Sequence, residues 1–284
     1  LLMLVVILTL LLETFIIIVI RVGIQPDLIW AQDARSVINM KIYILSSNKY
    51  AHVCSTTIAM LNKYWPDQDI TLVGYEDILK LKDLSDDVEV VSLGNQNDFP
   101  SWSDALVPFF QKTPEDYFTL LFEDHILMNK VPLDKLEEIE EQFRLNTVQK
   151  AMIGGGNTLK FSTKFRDTNL LLLAQGIDYR ASLHPAIWKK QYLLKYLKPN
   201  MSSWDFEIHN NHEAAFDGAY IVNYDDGFPE NPIVYSYLEL FNKGIIAINE
   251  KAQVLSDQPS SKFFNIEDIK YVWNSIHECQ KEIQ

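Results

Sequence analysis

Cysteine is nearly absent: the 284 residues contain two, Cys54 and Cys279. They lie far apart, form no CxxC and fit no zinc-ligand spacing. That excludes a disulfide framework and a cysteine-built structural metal site. Basic residues are also scarce, with 25 Lys and Arg against 38 Asp and Glu and a net charge of −13. A surface of that sign does not gather the phosphate contacts of non-specific nucleic-acid binding, so nucleic acid is not an expected partner. Anionic small ligands remain open, because a local site or a bound metal overrides the global field. No repeat of about 20–50 residues is present. Low-complexity tracts are missing too, and with aromatics at 12% disorder is not expected.

One long hydrophobic run stands out. "LLMLVVILTLLLETFIIIVI", residues 1–20, carries a single charge, Glu13. Its length matches a hydrocarbon core of roughly 30 Å. Glu13 near its middle costs on the order of a few kcal/mol there, and the positive n-region of a secretory signal is missing. Two readings follow. Residues 1–39 are either a membrane anchor with its linker or a non-native extension to a domain that starts at Met40. Localisation is accordingly read as cytoplasmic or membrane-associated.

From Met40 onward strands and helices alternate. "KIYILSS" (41–47) reads as a buried strand, and Val53, Thr57, Met60, Leu61 and Tyr64 recur at helical spacing before Pro66. Strands are expected at 69–76 and 88–94, then a helix at 101–113 capped by Ser101 or Ser103. A fourth strand starts at Tyr117, an amphipathic helix covers 132–145 and a fifth strand 150–156. Farther on, an apolar stripe of Ile187, Tyr192, Leu193, Tyr196 and Leu197 marks another helix. Ile266, Ile269, Val272, Trp273 and Ile276 mark a C-terminal one. Alternation of this kind predicts an α/β domain, a mostly parallel sheet flanked by helices. The first half is Rossmann-like but lacks GxGxxG after its first strand, which disfavours dinucleotide binding by that fingerprint.

The fourth strand, "YFTLLFEDHILM", is interrupted by Glu123, Asp124 and His125. Ligands of open parallel sheets bind beyond the carboxyl ends of strands, where a carboxylate can hold a divalent cation. Magnesium is commonly bound by one or two carboxylates plus substrate phosphates, and manganese accepts similar ligands. The plainer reading is an acidic turn, with His125 a packed imidazole.

The order of these features, with the blocks "SWSDALVPFF…DYFTLLFEDHIL" and "YRASLHPAIWKKQYLLKYLKPNMSSWDFE", resembles the GT-A class of nucleotide-sugar glycosyltransferases. It is similar in particular to sugar-transferase-like proteins of bacteria and viruses that carry "EDx" followed by "PAIW…WxFE". The resemblance covers roughly residues 40–250 as a single GT-A-like domain and leaves 251–284 as a C-terminal helical extension. It implies transfer of a sugar from a nucleotide-diphosphate sugar donor to a glycan or other hydroxyl acceptor, assisted by Mn2+ or Mg2+. It implies Asp124 as first metal ligand, Glu123 as second and His125 in the place of a last acid. It implies Ser46, Ser47, Asn48, Trp102 and Ser103 as nucleotide-sugar contacts. Asp205 or Glu207 would remove the acceptor proton, with Trp204 as a sugar-stacking neighbour; the plainer reading puts both acids at a helix start. Inverting and retaining outcomes both stay open. So does a non-catalytic relative of the same fold acting as a sugar-binding or scaffold module. A nucleotidyltransferase ranks last, since "LSSNKYAH" is not a basic, Gly-rich loop. Two lesser sites are the bare backbone of "IGGGN" (153–157) and a His209-x-x-His212 pair with Asp217.

Overall fold

The computed structural model describes residues 40–81, 84–154, 163–224, 237–239, 241–242, 245–246 and 264–283. The run at 1–20 lies outside them, as do Gly155, Gly156 and Asn157 of the glycine triplet. Among the described residues no helix is long and apolar enough to cross a membrane.

The elements appear largely where the periodicity places them. Strand β1 is Lys41–Leu45, followed by a 3-10 helix, Asn48–Val53, and helix α1, Cys54–Tyr64. Then come β2 (Asp69–Gly74), β3 (Glu89–Ser92), α2 (Trp102–Lys112) and β4 (Tyr117–Phe122). They are followed by β5 (His125–Leu127), α3 (Leu133–Arg144), β6 (Lys150–Met152), β7 (Thr163–Lys164) and β8 (Leu170–Leu172). The second half carries β9 (Ala186–Lys189), α4 (Lys190–Tyr196), α5 (Ser203–Ala215) and β10 (Ile221–Tyr224). The short strands β11 (Tyr237–Glu239), β12 (Phe241–Asn242) and β13 (Ile245–Ile246) precede α6 (Ile266–Ile283).

Nine strands form one sheet in the order β3-β2-β1-β4-β9-β6-β10-β8-β7. All of them except β8 and β9 run in one direction. The sheet is thus mixed but mostly parallel and flanked by helices, as the alternation predicts. Both faces of β1 are buried: Tyr43 and Leu45 on one, Ile42 and Ile44 on the other. That is why such strands read as unbroken apolar runs. Tyr43, Leu45, Phe118, Leu120 and Trp188 pack with Leu106 and Phe110 of α2, Tyr192 and Tyr196 of α4 and Phe206 of α5.

Two expectations shift, and the C-terminal helix packs on the domain as its apolar stripe predicts. The fourth strand is not continuous, because a two-residue turn, Glu123 and Asp124, separates β4 from β5, which pairs with β11. Ile187 belongs to β9 rather than to the stripe of the following helix; an apolar residue just before a helix fits either period. The C-terminal helix is part of the core. Ile269, Val272 and Ile276 pack with Val53, Met60, Ile126 and Met128. Asp268 at its first turn, buried, accepts hydrogen bonds from Lys63 Nζ and Tyr64 OH of α1.

Lys150, fully buried on β6, donates to Ser182 O at 2.7 Å and Arg180 O at 3.1 Å, with its ammonium 4.2 Å from the Trp188 ring. Burial pulls it down to about 7, Glu207 opposing this and Arg180 adding to it. Its folded-state value lies below the unfolded one, so the unfolded chain holds more protons from about pH 7 upward. Stability contributed by this group therefore rises with pH across that window, by at most about 1.4 kcal/mol per pH unit. Urea unfolding at pH 7 and 9.5 should show the wild type gaining on Lys150→Met; a constant difference would refute this. Asp268→Ala removes a buried acceptor from an exposed lysine and a half-buried tyrosine and should cost about 1 kcal/mol, with amide exchange rising first in α6.

Candidate functional site

The carboxyl ends of β1, β2, β3 and β4 open into one cavity of about 630 Å³. Its floor is Leu45, Val73, Leu93, Leu106 and Phe122, and Tyr50, Tyr75, Phe99 and Trp102 form aromatic walls. The polar lining is neutral, made of Ser46, Ser47, Asn48, Gln96, Asn97, Ser101 and Ser203, with Glu123 as its one acid. Among the described residues no Lys or Arg lines it.

The local sequence explains how these groups meet. β1 ends at Leu45 and the chain turns over β2, where Ser46 N donates to Val73 O at 2.9 Å. This close pass is open because the next residue of β2 is Gly74; a Cβ there would stand 3.1 Å from Ser46 O and 2.8 Å from Ile78 Cγ2. Asn48 then ties three loops together. Its N–H donates to Gln96 Oε1 at 2.8 Å, and its Oδ1 accepts from Asp77 N at 3.1 Å. Gln96 N in turn donates to Glu76 Oε2 at 3.0 Å. Ser101 N and Oγ both donate to Asp104 Oδ2 at 2.9 Å, which sets the start of α2 and turns Trp102 into the cavity beside Phe122.

The acidic turn is held at three points. Phe122 N donates to His125 Nδ1 at 3.1 Å, Glu123 N to Leu45 O at 3.2 Å, and Thr57 Oγ1 of α1 to Glu123 O. Glu123 is buried, and desolvation, with the Asp124 charge adding to it, raises its carboxyl well above the usual range. Asp124, the next residue, is not among the residues that line the cavity. Its Oδ1 lies 4.0 Å from His125 Nε2. Burial, and His184 nearby, pull His125 down to about 3. The ring is neutral, and since Nδ1 accepts from Phe122, Nε2 carries the proton.

The sequence-expected residues divide accordingly. Ser46, Ser47, Asn48, Trp102 and Glu123 come together in the cavity. Ser103 does not: it is fully buried, its Oγ accepts from Met201 N at 2.9 Å, and its N–H donates to Met201 O at 3.1 Å. His125 closes a turn and has no lone pair left for a cation. Asp205 sits at the start of α5, where its Oδ2 accepts from Ser202 N at 2.8 Å and Ser202 Oγ at 2.6 Å. These bonds hold its carboxyl below the usual range. Glu207 Oε1 accepts from Leu183 N at 2.6 Å. Neither carboxylate lines the cavity, although Ser203 of the same turn does. Asp217 is held by Tyr196 OH at 2.7 Å, Lys195 at 3.3 Å and Arg180 at 3.6 Å, which leaves no ligand for a His209–His212 pair.

Among the described residues no three His, Cys, Asp or Glu side chains converge as a metal cage. The donor set does fit a cation of the magnesium type, which uses one or two carboxylates and takes the rest from phosphate and water. Glu123 supplies such a group inside the cavity and Asp124 a second on the adjoining turn. Cys54 is no alternative nucleophile, since burial and the Glu123 charge push its thiol far up.

Tyr50, Tyr75, Gln96 and Phe99 are lining residues the sequence did not single out. The one local signal was Gly74 closing an apolar strand, a mark of close backbone approach.

No protein-family model matches the sequence. No curated protein matches it. Solved structures similar to it include glycosyltransferases and nucleotidyltransferases. The galactosyltransferase LgtC in complex with donor and acceptor sugar analogues is 11% identical with a TM-score of 0.45, over 83% of this chain and 96% of that one. CMP:2-keto-3-deoxy-manno-octonic acid synthetase complexed with CTP is 10% identical with a TM-score of 0.39, over 64% and 88%. A cytidylyltransferase from Leptospira borgpetersenii is 14% identical with a TM-score of 0.37, over 62% and 71%.

Proposed function

We propose that the chain is a glycosyltransferase that takes a nucleotide-diphosphate sugar in this cavity and passes the sugar to a hydroxyl acceptor, with a divalent cation. The observation that carries the reading is the cavity itself. It opens at the carboxyl rim of a parallel sheet, walled by aromatic rings and amides, with a single carboxyl at its inner edge. Rings and neutral hydrogen-bonding groups suit a nucleoside. Among the described residues the cavity has no cationic side chain, so a bound cation would balance the charge of a diphosphate there. Glu123, with Asp124 beside it, is the group to hold a cation for that purpose.

When bound, the cation neutralises charge on the departing diphosphate. The chain's own residues bind and orient. Ser46, Ser47 and Asn48 lie where base or ribose edges would hydrogen-bond, and Trp102 and Tyr75 flank the ring. For proton removal Asp205 is the better placed acid. Its Oδ1 lies outside the capping bonds and two residues from Ser203 in the cavity wall, whereas Glu207 is committed to Leu183. Asp205 is ionised, as a base must be.

A sugar-binding module without catalysis is the second reading. It is favoured by His125 standing where a third ligand would be expected. A nucleotidyltransferase fits less well, since among the described residues no Lys or Arg lines the cavity.

Melting the full chain with uridine, cytidine, adenosine and guanosine diphosphate sugars, with and without MnCl2, tests the reading. Ligand at about a hundredfold excess over Kd adds ~2.7 kcal/mol, a rise of roughly 5–10 °C for a domain of this size. One donor should produce it. Glu123→Gln and Asp124→Ala should lose the manganese-dependent part, and Asn48→Ala most of the rest. If no donor raises the melting point, the reading fails; a shift without turnover selects the binding module.

A further inference from the structure

The parallel strands give the sheet two unlike edges. The carboxyl ends of β1, β2, β3 and β4 carry the cavity. The amino ends of β1, β4, β6 and β10 share the opposite edge. Three large apolar side chains stand exposed there: Phe216 at 77%, Leu145 at 57% and Tyr220 at 45%. Phe216 and Tyr220 lie in the link from α5 into β10, and Leu145 in the link from α3 into β6. Gln149 N, just before β6, donates to Tyr220 O at 2.9 Å, so the two links are neighbours.

The link that carries Phe216 is firmly built. Gly218, at φ +75°, makes its turn. Gly218 N donates to Gln175 Oε1 at 3.2 Å, while Gln175 Nε2 and Arg180 Nη2 donate to Ala219 O at 3.2 and 2.7 Å. Gly176 N donates to Ala215 O at 2.6 Å. The Phe216 ring passes so close to Gly176 that a Cβ there would stand 3.1 Å from its Cζ. Phe216 is thus an exposed ring on a fixed loop.

The occupant follows from where the rest of the chain joins. Met40 leads directly into β1, so residues 1–39 enter the domain at this same edge. From β1 to β10 is four strand steps, about 19 Å at ~4.8 Å each. Residues 21–39 reach roughly 60 Å when extended. Residues 1–20 are long enough to cross a hydrocarbon core of roughly 30 Å, and the Leu, Ile and Val around Glu13 offset its cost. Three side chains are too few to cover that run, and they fall short of the ~1,200–2,000 Å² of a stable protein interface. A lipid surface accounts for both features, since aromatic rings settle at the headgroup level. Charge narrows the lipid. Arg144, Lys189 and Lys190 lie along this edge with Glu115 and Asp116, on a chain of net charge −13. That mixture gives anionic headgroups no polybasic patch to bind and suits zwitterionic ones.

We propose that the amino edge of the sheet is a lipid-docking face, with Phe216, Tyr220 and Leu145 on the headgroup layer of a zwitterionic bilayer and the cavity open to water at the far edge. The proposal goes beyond the transferase reading and holds whatever the cavity binds. The test places an environment-sensitive dye on single cysteines of the full chain carrying Cys279→Ser; Cys54 is buried. The reporters are Phe216→Cys and Leu145→Cys on the docking edge. Leu79→Cys, at a position 62% exposed beyond the carboxyl end of β2, is the control. Each chain is reconstituted with phosphatidylcholine vesicles, with and without a lipid spin-labelled at the headgroup level, and melted with nucleotide-sugars in parallel. The dyes at 216 and 145 should shift to the blue and lose most of their emission to the spin label, and the dye at 79 should do neither. Equal quenching at all three positions, no quenching at 216 and 145, or a chain that does not float with the vesicles overturns the proposal. A chain that shows the expected quenching but melts unchanged with every nucleotide-sugar sinks the transferase reading and keeps the docking face.

Discussion

The site depends on how β4 ends. Phe122 N–H bonds to the ring of His125, which turns the chain sharply after six strand residues. Glu123 is then pinned between Leu45 O on one side and Thr57 on the other. Without that turn the apolar run would continue and no acid would reach the cavity. With it, a carboxyl is carried to the inner edge of an aromatic chamber and stripped of water. Burial and the Asp124 charge push a carboxyl so placed toward its neutral form, and a nearby cation would pull it back toward the charged one. The histidine that a metal-motif reading would take as a ligand is the group that makes the turn possible.

The rest of the fold supports that edge from both faces. On one side α2 and α5 start at the cavity and are joined through Ser103 and Met201, so their first residues, Trp102 and Ser203, share a wall. On the other, α1 carries Thr57 to the turn, and α6 is bolted to α1 through Asp268. Packing around Val53 and Ile269 links α6 to the 3-10 helix that follows β1 and holds Asn48 and Tyr50. The helix at the end of the chain thus steadies residues close to its beginning.

Beneath the second half of the sheet lies a buried polar layer that does not touch the cavity. Lys150 holds the carbonyls of Arg180 and Ser182, Glu207 holds Leu183 N–H, and Pro185 O accepts from Ile153 N and Gly154 N. Together they clamp the irregular stretch before β9. It is fixed by side-chain bonds because an irregular backbone has no ladder to satisfy its own polar groups.

Strands, helices and their alternation were legible in the sequence because burial imposes periods of two and 3.6 on apolar residues, and an α/β sheet follows from that alternation. The GT-A resemblance pointed to Ser46, Ser47, Asn48 and Trp102, and all four line the cavity. The choice between Glu123 and Asp124 was not legible. Neighbouring residues leave a turn in different directions, and only the bonds to Leu45, Thr57 and His125 decide which one faces inward. Nor could sequence spacing separate Trp102 from Ser103, or free Asp205 and Glu207 from their structural duties, since their partners Met201, Ser202 and Leu183 are named only by three-dimensional contact. Local pattern determined the elements and the edge of the sheet. Tertiary packing alone decided which side chains share the cavity, because Tyr50, Tyr75, Gln96 and Phe99 come from separate loops that meet only when the sheet is assembled.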